Sequence, residues 1–548
     1  MNPEKSHIPG PIREDMERNR IDIDLSLRIL DRWNRGGHRD QGPVRVRDIP
    51  SLDGRRVLDF TGEGPFTVPL REARDNLAGL IPGLDAAAFG EPDGRGSLVF
   101  SRAALEKLGV LLYPLLSYGI LNGGSATSYA DGKINRAFSG ELFSLMEPVF
   151  RISAELCRDR PKGITPAYVN PDGSPGFSFI ELKMRALLLG VLRRRRAAAA
   201  AFPPGRAGPG AAVPGADLPD APPPLAPMFQ MTSVFTDPEV SRALLSYRDS
   251  PALRTLIERT GIDITRVETG VQPLISAFTH SSQGERKSLF TEAGGIPGRT
   301  LGLPGGHGQN FLVLKDVYRR LRESGKRFAY LGNVDNLGYT PDPAGLALLA
   351  LSGRKAAFEF SFKTAVDRKG GILVVDGDGR LNCADIGPAI SPGEVARWEG
   401  EGRPILFNVA TGLFDLEHLT RNIDGIIAGL PVRWSDQDKD AGRYSQAEQV
   451  TWEVLGLLDD ALILGVEKSR RFLAAKLLLE NFLTCGLYAD DPAFPSDPNP
   501  ERDLKKLAAT LRSGFAWNME NNYGMRLGAS RWEPVELRSP AGLWGDPL

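Results

Sequence analysis

The chain lacks the marks of several large protein classes. Its 548 residues include three cysteines, Cys157, Cys383 and Cys485. They are far apart, odd in number and without metal-ligand spacing, which argues against a disulfide framework or a zinc site. They suit a reducing cytoplasm and are expected to sit as small apolar side chains. Histidine is scarce too, at five residues. No apolar run is long enough to span a bilayer, since the longest, Leu108 to Leu121, is broken by Pro114. The start, Met1-Asn2-Pro3-Glu4-Lys5, lacks the apolar core of a secretory signal. An excess charge of one sign is also missing. Lys and Arg total 67 against 68 Asp and Glu, so no net field recruits nucleic acid or an anionic membrane. The one dense basic run, Arg193 to Arg196, closes an apolar-periodic segment and reads as a solvated helix end. Neither a Walker A loop nor Gly-x-Gly-x-x-Gly after a strand occurs, which disfavours a dehydrogenase. A soluble cytoplasmic protein that binds neither nucleic acid nor membrane is the expectation.

Composition divides what is there. Residues 1–100 carry helical periodicity at Ile21–Trp33 and Leu70–Leu80 and read as a mostly helical N-terminal region. Residues 101–430 alternate short apolar strands with helical segments, the pattern of an α/β sheet covered by helices. Strands are expected at Tyr118–Leu121, Met228–Ser233, Phe328–Asn333, Ala357–Phe362 and Pro404–Thr411, with a helix at Leu105–Tyr113. Asp376-Gly377-Asp378-Gly379, between Leu373–Val375 and Leu381–Cys383, is a hairpin signal. Ala197 to Pro227 is nearly all Ala, Pro and Gly and reads as a disordered surface insertion. Residues 431–548 read as helical, with helices at Ala447–Leu458, Ser469–Leu483 and Asp503–Leu511.

Four stretches could carry chemistry. Gly332-Asn333-Val334-Asp335-Asn336-Leu337-Gly338 follows a buried strand. It places a carboxylate and two amides at a sheet edge, where open α/β sheets bind ligands. Such a carboxylate suits Mg2+ shared with phosphate, or else the heptad is a polar turn. Leu121-Asn122-Gly123-Gly124-Ser125-Ala126-Thr127-Ser128 ends a strand in a Gly-rich loop. It can admit a phosphate or base close to the backbone, or be a tight turn. Lys133, just downstream, carries charge that could serve a phosphate or only water. Leu303-Pro304-Gly305-Gly306-His307-Gly308 surrounds a histidine with glycines, for a ligand or for a turn. Lys363 ends an alternating strand, and Lys476 stands two turns along from Ser469 on the expected helix. No Ser/His/Asp or Cys/His arrangement is evident.

In their order these blocks resemble the UTP–glucose-1-phosphate uridylyltransferase family. Leu121 to Gly124 with Thr127-Ser128 is similar to its Leu-Asn-Gly-Gly-Leu-Gly-Thr-Ser loop, and Pro227 to Ser233 to its Pro-Leu-x-x-Met-Asn-Ser strand. Pro304 to Gly308 resembles Pro-Pro-Gly-His-Gly, and Asn333 to Gly338 matches Asn-Val-Asp-Asn-Leu-Gly. Lys363-Thr364, Asp367 and Lys369-Gly370-Gly371 resemble Pro-Lys-Thr-x-x-Asp-x-Lys-Gly-Gly; Phe407-Asn408 matches Phe-Asn-Thr; Ser469 to Lys476 resembles Arg-Ser-Arg-Phe-Leu-Pro-Val-Lys.

The resemblance implies a Rossmann-like mixed-sheet nucleotidyltransferase core flanked by helices. The N-terminal region would be helical and the C-terminal one short, without the β-helix of eukaryotic members. It implies Mg2+-dependent transfer of uridylate from UTP to a sugar 1-phosphate, glucose 1-phosphate first, giving UDP-sugar and pyrophosphate. Leu121, Asn122, Gly123, Gly124, Thr127, Gln272 and Gly306 would hold the nucleotide. Asp335 would share the metal, His307, Asn333 and Asn408 would contact the sugar, Lys476 its phosphate, Lys133 the triphosphate, and Lys363 would support that region. The chain departs from the family at Ala126 and at Tyr129-Ala130, and the Pro-Lys that closes the first loop has no clean counterpart, so Lys133 is taken for that lysine. Ala126 adds a Cβ where base or phosphate should approach. Two alternatives therefore stand: a UDP-N-acetylhexosamine pyrophosphorylase, and a silent relative that only binds a UDP-sugar.

Overall fold

Eleven strands join into one mixed sheet in the computed structural model, which describes residues 8–36, 44–201, 228–364, 367, 369–499 and 503–535. They are β1 (Val46–Asp48), β2 (Val57–Asp59), β3 (Leu116–Leu121), β4 (Met228–Ser233), β5 (Glu268–Gln272), β6 (Phe328–Asn333), β7 (Ala356–Phe362), β8 (Gly371–Asp376), β9 (Leu381–Asp385), β10 (Leu406–Asp415) and β11 (Ala461–Val466). Their order is β2-β11-β7-β10-β6-β3-β4-β5, with β8 pairing β10, β9 and β1. Strands β6, β3, β4 and β5 run parallel; β10 is antiparallel to β6 and β7. Every residue of β3, β4 and β11 is buried, as sheets covered on both faces require.

The order β5-β4-β3-β6 sets the site. From β3 the chain moves through β4 to β5 on one side, then returns to β6 on the other. In open α/β sheets ligands bind outside the carboxyl ends of the strands at such a reversal. Leu121 ends β3 opposite Asn333, which ends β6. The loops that follow, Asn122–Gly124 and Val334–Gly338, therefore flank one crevice.

Helices α1 (Gly132–Phe138), α2 (Gly140–Cys157) and α3 (Phe179–Ala201) lie between β3 and β4 in the chain, and α4 (Leu478–Cys485) and α5 (Leu504–Asn521) follow β11. Leu182 and Leu188 of α3 share an apolar cluster with Tyr118 and Ile120 of β3 and with Phe515 and Met519 of α5. Burying such side chains is the main favourable term in folding, at about 1.5–3 kcal/mol each. The sheet takes strands from each expected region: β1 and β2 from residues 1–100, β3 to β10 from 101–430, β11 from 431–548. Helices also form in the first hundred residues where periodicity predicts them, at Ile23–Asn34 and Leu70–Leu80, and at Gly10–Arg18 besides.

Several local expectations change. Residues expected as a helix at Ala447–Leu458 form the end of a strand, Gly442–Glu448, paired with Arg433–Lys439, followed by a 3-10 turn at Thr451–Leu457. The expected helix at Ser469–Leu483 is broken into Lys468–Arg471 and α4. Between them the chain is extended, because the Asn336 side chain accepts from the Leu473 amide and donates to the Arg471 carbonyl. The Arg193–Arg196 run lies within α3 and is not a solvated end. Arg194 is buried, and Arg195 donates to the carbonyls of Arg259 and Thr260, a cation at the C-terminus of the helix Arg254–Thr260. The Ala/Pro/Gly-rich stretch lies, from 202 to 227, outside the described residues; 197–201 complete α3. Cys157 and Cys383 are buried and Cys485 half-buried, all as free thiols.

Candidate active site

Three chain segments meet at Asp335. The carboxylate lies just past β6, 6% exposed. Lys162 Nζ stands 2.8 Å from its Oδ2 and Lys476 Nζ 3.4 Å from the same oxygen. Lys162 is nearly buried, and its ammonium also donates to the carbonyl of Ala475 at 2.6 Å and lies 4.4 Å from the Tyr129 ring centroid. It thus ties together the carboxylate, the strap before Lys476 and an aromatic face. Lys476 has a 70% exposed side chain and reaches into open space beside this pair. Burial pushes the Asp335 carboxyl up, but Lys162 and Lys476 outweigh it and hold the group below its ordinary value. Burial pulls the Lys162 ammonium down, against Asp335. One carboxylate and two ammonium groups leave a net positive charge, an arrangement suited to an arriving polyanion.

Lys162 is the residue that reading the sequence missed. Ser125 forms a bridge with Pro161. The Ala126 amide donates to the Arg160 carbonyl and the Lys162 amide to that of Gly124. Pro161-Lys162 therefore closes the Gly-rich loop in space, after a helical detour through α1 and α2. Lys133, taken from proximity in sequence, stands exposed in the first turn of α1, where Asp131 caps its amide. The structure brings Lys162, not Lys133, to Asp335. The departures at the loop also find a place. Ala126 is fully buried in an apolar cluster with Tyr129, Leu142 and Phe482, so this methyl faces a core.

On the other side of the loop Gln272, at the end of β5, is 5% exposed. Its Nε2 donates to the Gly306 carbonyl and to Gln309 Oε1, each at 2.8 Å. Both amide hydrogens are used, so Oε1 is the outward acceptor. It lies 3.2 Å from where a Cβ on Gly123 would be. Gly123, Gln272 and Gly306 are thus brought together. Gly306 has φ +81°, and a Cβ there would meet the Gln449 carbonyl at 2.4 Å; its glycine serves backbone packing. Asn122 is buried and donates to Gln230 Oε1, so its side chain turns inward. Thr127 is exposed and hydrogen-bonds Ser125; Gly124 faces open space.

His307 Nδ1 accepts from the Thr451 amide at 3.1 Å, which assigns the proton of a neutral ring to Nε2. Burial, then Lys476 and Arg433, push the imidazole down to about 4. The cation Arg433 is itself paired with Asp385 and Glu453. Asn408 accepts from the Ala410 amide beside a bulge in the β7–β10 pairing, and Asn333 is half-buried at the crevice mouth. Lys363 pairs with Glu399 at 2.7 Å, rather than with the Asp335 cluster. Among the described residues no group of three or more His, Cys, Asp or Glu side chains is placed to hold a metal ion. Nor is any helix among them long and apolar enough to cross a membrane.

Fold and site define a mixed-sheet α/β protein with its cleft at the switch point of a Rossmann-ordered half. Residues 297–483, about a third of the chain, match the model of the family described as UTP–glucose-1-phosphate uridylyltransferase. A curated relative of that name from Hordeum vulgare is 27% identical over 223 residues, 38% of this chain and 46% of its own. One from Musa acuminata is 25% identical over 222 residues, 38% and 47%. The chain thus spans about half the length of these relatives. A UDP-glucose phosphorylase structure from Trypanosoma brucei has a TM-score of 0.44 and 19% identity over 69% of this chain and 67% of that one.

Proposed function

We propose that the protein transfers a uridylyl group between UTP and a sugar 1-phosphate, with glucose 1-phosphate as the sugar, forming UDP-sugar and pyrophosphate reversibly. The observation that carries this reading is the meeting of Asp335, Lys162 and Lys476 beside the Gly-rich loop. The family name and the relatives' names supply the substrates. The reaction joins two anions: a phosphate oxygen of the sugar phosphate attacks the α-phosphorus in line, and pyrophosphate leaves. Catalysis is then mainly positioning and charge neutralisation. Gln272 Oε1 accepts the uracil N–H, and Gly123 leaves room for the base. Lys162 meets the triphosphate, Lys476 the sugar phosphate, and the His307 Nε2–H a sugar hydroxyl. Lys363 has no direct part in this reading.

Asp335 supplies the carboxylate of the cluster. Mg2+ takes one or two carboxylates plus substrate phosphates, so the donor set fits an ion carried in with the triphosphate and held by Asp335. When bound it would neutralise charge on the phosphates. A cytoplasmic setting belongs to the same reading, from the three free thiols.

The test supplies UDP-glucose and pyrophosphate with Mg2+ and follows UTP, with EDTA and with Asp335→Ala and Lys476→Ala as controls. Metal-dependent turnover abolished by both substitutions is the expected result. Turnover with UDP-N-acetylglucosamine alone would change the sugar. UDP-sugar binding without turnover would leave only a binding protein.

A further inference from the structure

Against the segment that follows Asp335 lies a lysine that the proposed chemistry does not use. Lys183 of α3 is fully buried. Its ammonium donates to the carbonyl of Asn336 at 2.5 Å, to that of Tyr339 at 2.6 Å and to the Tyr523 hydroxyl at 3.2 Å. All three donors of the ammonium go to neutral oxygens. A buried ammonium without a carboxylate partner gives up its hydration for these oxygens alone, and an apolar side chain in its place would leave them short of a donor. The Tyr523 hydroxyl in turn donates to the Leu337 carbonyl at 2.7 Å. Three carbonyls of the segment that follows Asp335, those of residues 336, 337 and 339, are thus tied down.

The same segment carries the strap. Asn336 bonds Arg471 and Leu473 through its side chain, the Leu337 amide donates to the Leu473 carbonyl, and Asn336 bridges Ala474. Tyr523 is itself placed by Arg185, two residues on from Lys183. Arg185 donates to the carbonyls of Tyr523 and Gly524. Desolvation, then the charge of Arg471, lowers the Lys183 ammonium, while Asp335 raises it. Lys183 and Tyr523 both lie outside the family match of residues 297–483.

We propose that Lys183, completed by Tyr523, is a positioning residue that fixes Asp335 and, through Asn336, the Lys476 strap. This rests on the proposed transfer activity for its kinetic consequence, but its structural consequence can be read without it.

The experiment compares the full-length wild type, Lys183→Met and Tyr523→Phe, each alone and with Asp335→Asn, in the UDP-glucose and pyrophosphate assay. Hydrogen exchange of residues 333–340 and 472–476 is followed by mass spectrometry in the same proteins. Tyr523→Phe removes one hydroxyl and is the variant that must fold if Lys183→Met does not. The expected result is a kcat loss of about tenfold or more in Lys183→Met, smaller in Tyr523→Phe, with KM within about twofold and little further loss on Asp335→Asn. Exchange should rise in the two segments and stay unchanged in β4 and β11. Unchanged exchange there in Tyr523→Phe and in any folded Lys183→Met overturns the proposal, as does a loss that adds fully to that of Asp335→Asn. If the wild type turns over no UDP-sugar, the activity reading fails and the exchange pattern alone decides the positioning role.

Discussion

At the residue scale the decisive side chain is Lys162, because it is nearly buried and charged where Lys476 is largely exposed. Lys162→Ala should lower kcat/KM by about 100-fold or more, the usual cost of removing a group aimed at developing charge, while Lys133→Ala leaves it within about twofold. Equal losses in both would refute the assignment. His307 makes a separate, pH-dependent prediction. Its folded pKa is pushed down to about 4, against about 6.5 when unfolded. Between these values the unfolded chain binds more protons, so stability falls as pH falls. His307→Gln should show a shallower drop in urea midpoint than wild type from about pH 6.5 to 4. The depressed Asp335 acts lower, its contribution being present above about pH 4 and lost as pH falls through the folded pKa. His307→Gln should keep that acid limb.

At the element scale the strap between Lys468–Arg471 and α4 has its geometry set by neighbours distant in sequence. Helix α5 presses closely on the short helix that leads into the strap: a Cβ on Gly514 would lie 1.7 Å from the Ser469 carbonyl, and Asn518 donates to the Arg470 carbonyl. Gly514→Ala should therefore cost about 1–3 kcal/mol, the range for overpacking, and should lower kcat. Gly400→Ala, where a Cβ would meet only open space, is the control and should change neither. Thermal unfolding and turnover measure the two effects. A stable, fully active Gly514→Ala would show that α5 does not bear on the strap. The same element shows where sequence reading reaches its limit. Residues 469–483 have helical periodicity, and contacts from distant residues, the Asn336 side chain 137 residues before Leu473 among them, hold part of them as an extended strap. The Asn333–Gly338 loop was legible because strand, polar turn and carboxylate are contiguous. Pro161-Lys162 was not, because α1 and α2 separate it from the loop it closes. A signal for Lys183 does exist: with Arg185 it interrupts the otherwise apolar stretch from Leu182 to Leu192.

At the scale of the whole molecule the crevice depends on a sheet whose strands come from residue 46 to residue 466. Alternating strands and helices made an α/β sheet legible, but not its membership, because pairing between distant strands leaves no local mark. Strand β11 lies between β7 and β2, parallel to both, with every residue buried. Removing it would bare β7, whose residues Ala356 to Ser361 are all buried, as an unpaired apolar edge prone to association. Cutting after residue 430 also takes away Lys476, α4, α5 and Tyr523, and with them the support for Asn336 and Leu337. A fragment of residues 101–430 should therefore fail to give the cooperative urea transition of the full chain and should associate at micromolar concentration. Sedimentation and the slope of the transition, which scales with surface exposed on unfolding, are the measurements. A monomeric fragment with a sharp transition would mean that β3 to β10 make a self-sufficient core, with β11 and the C-terminal helices added to it. The expected collapse would mean that the segment bearing Lys476 is part of what folds the sheet, so that the cleft and the core form in one step.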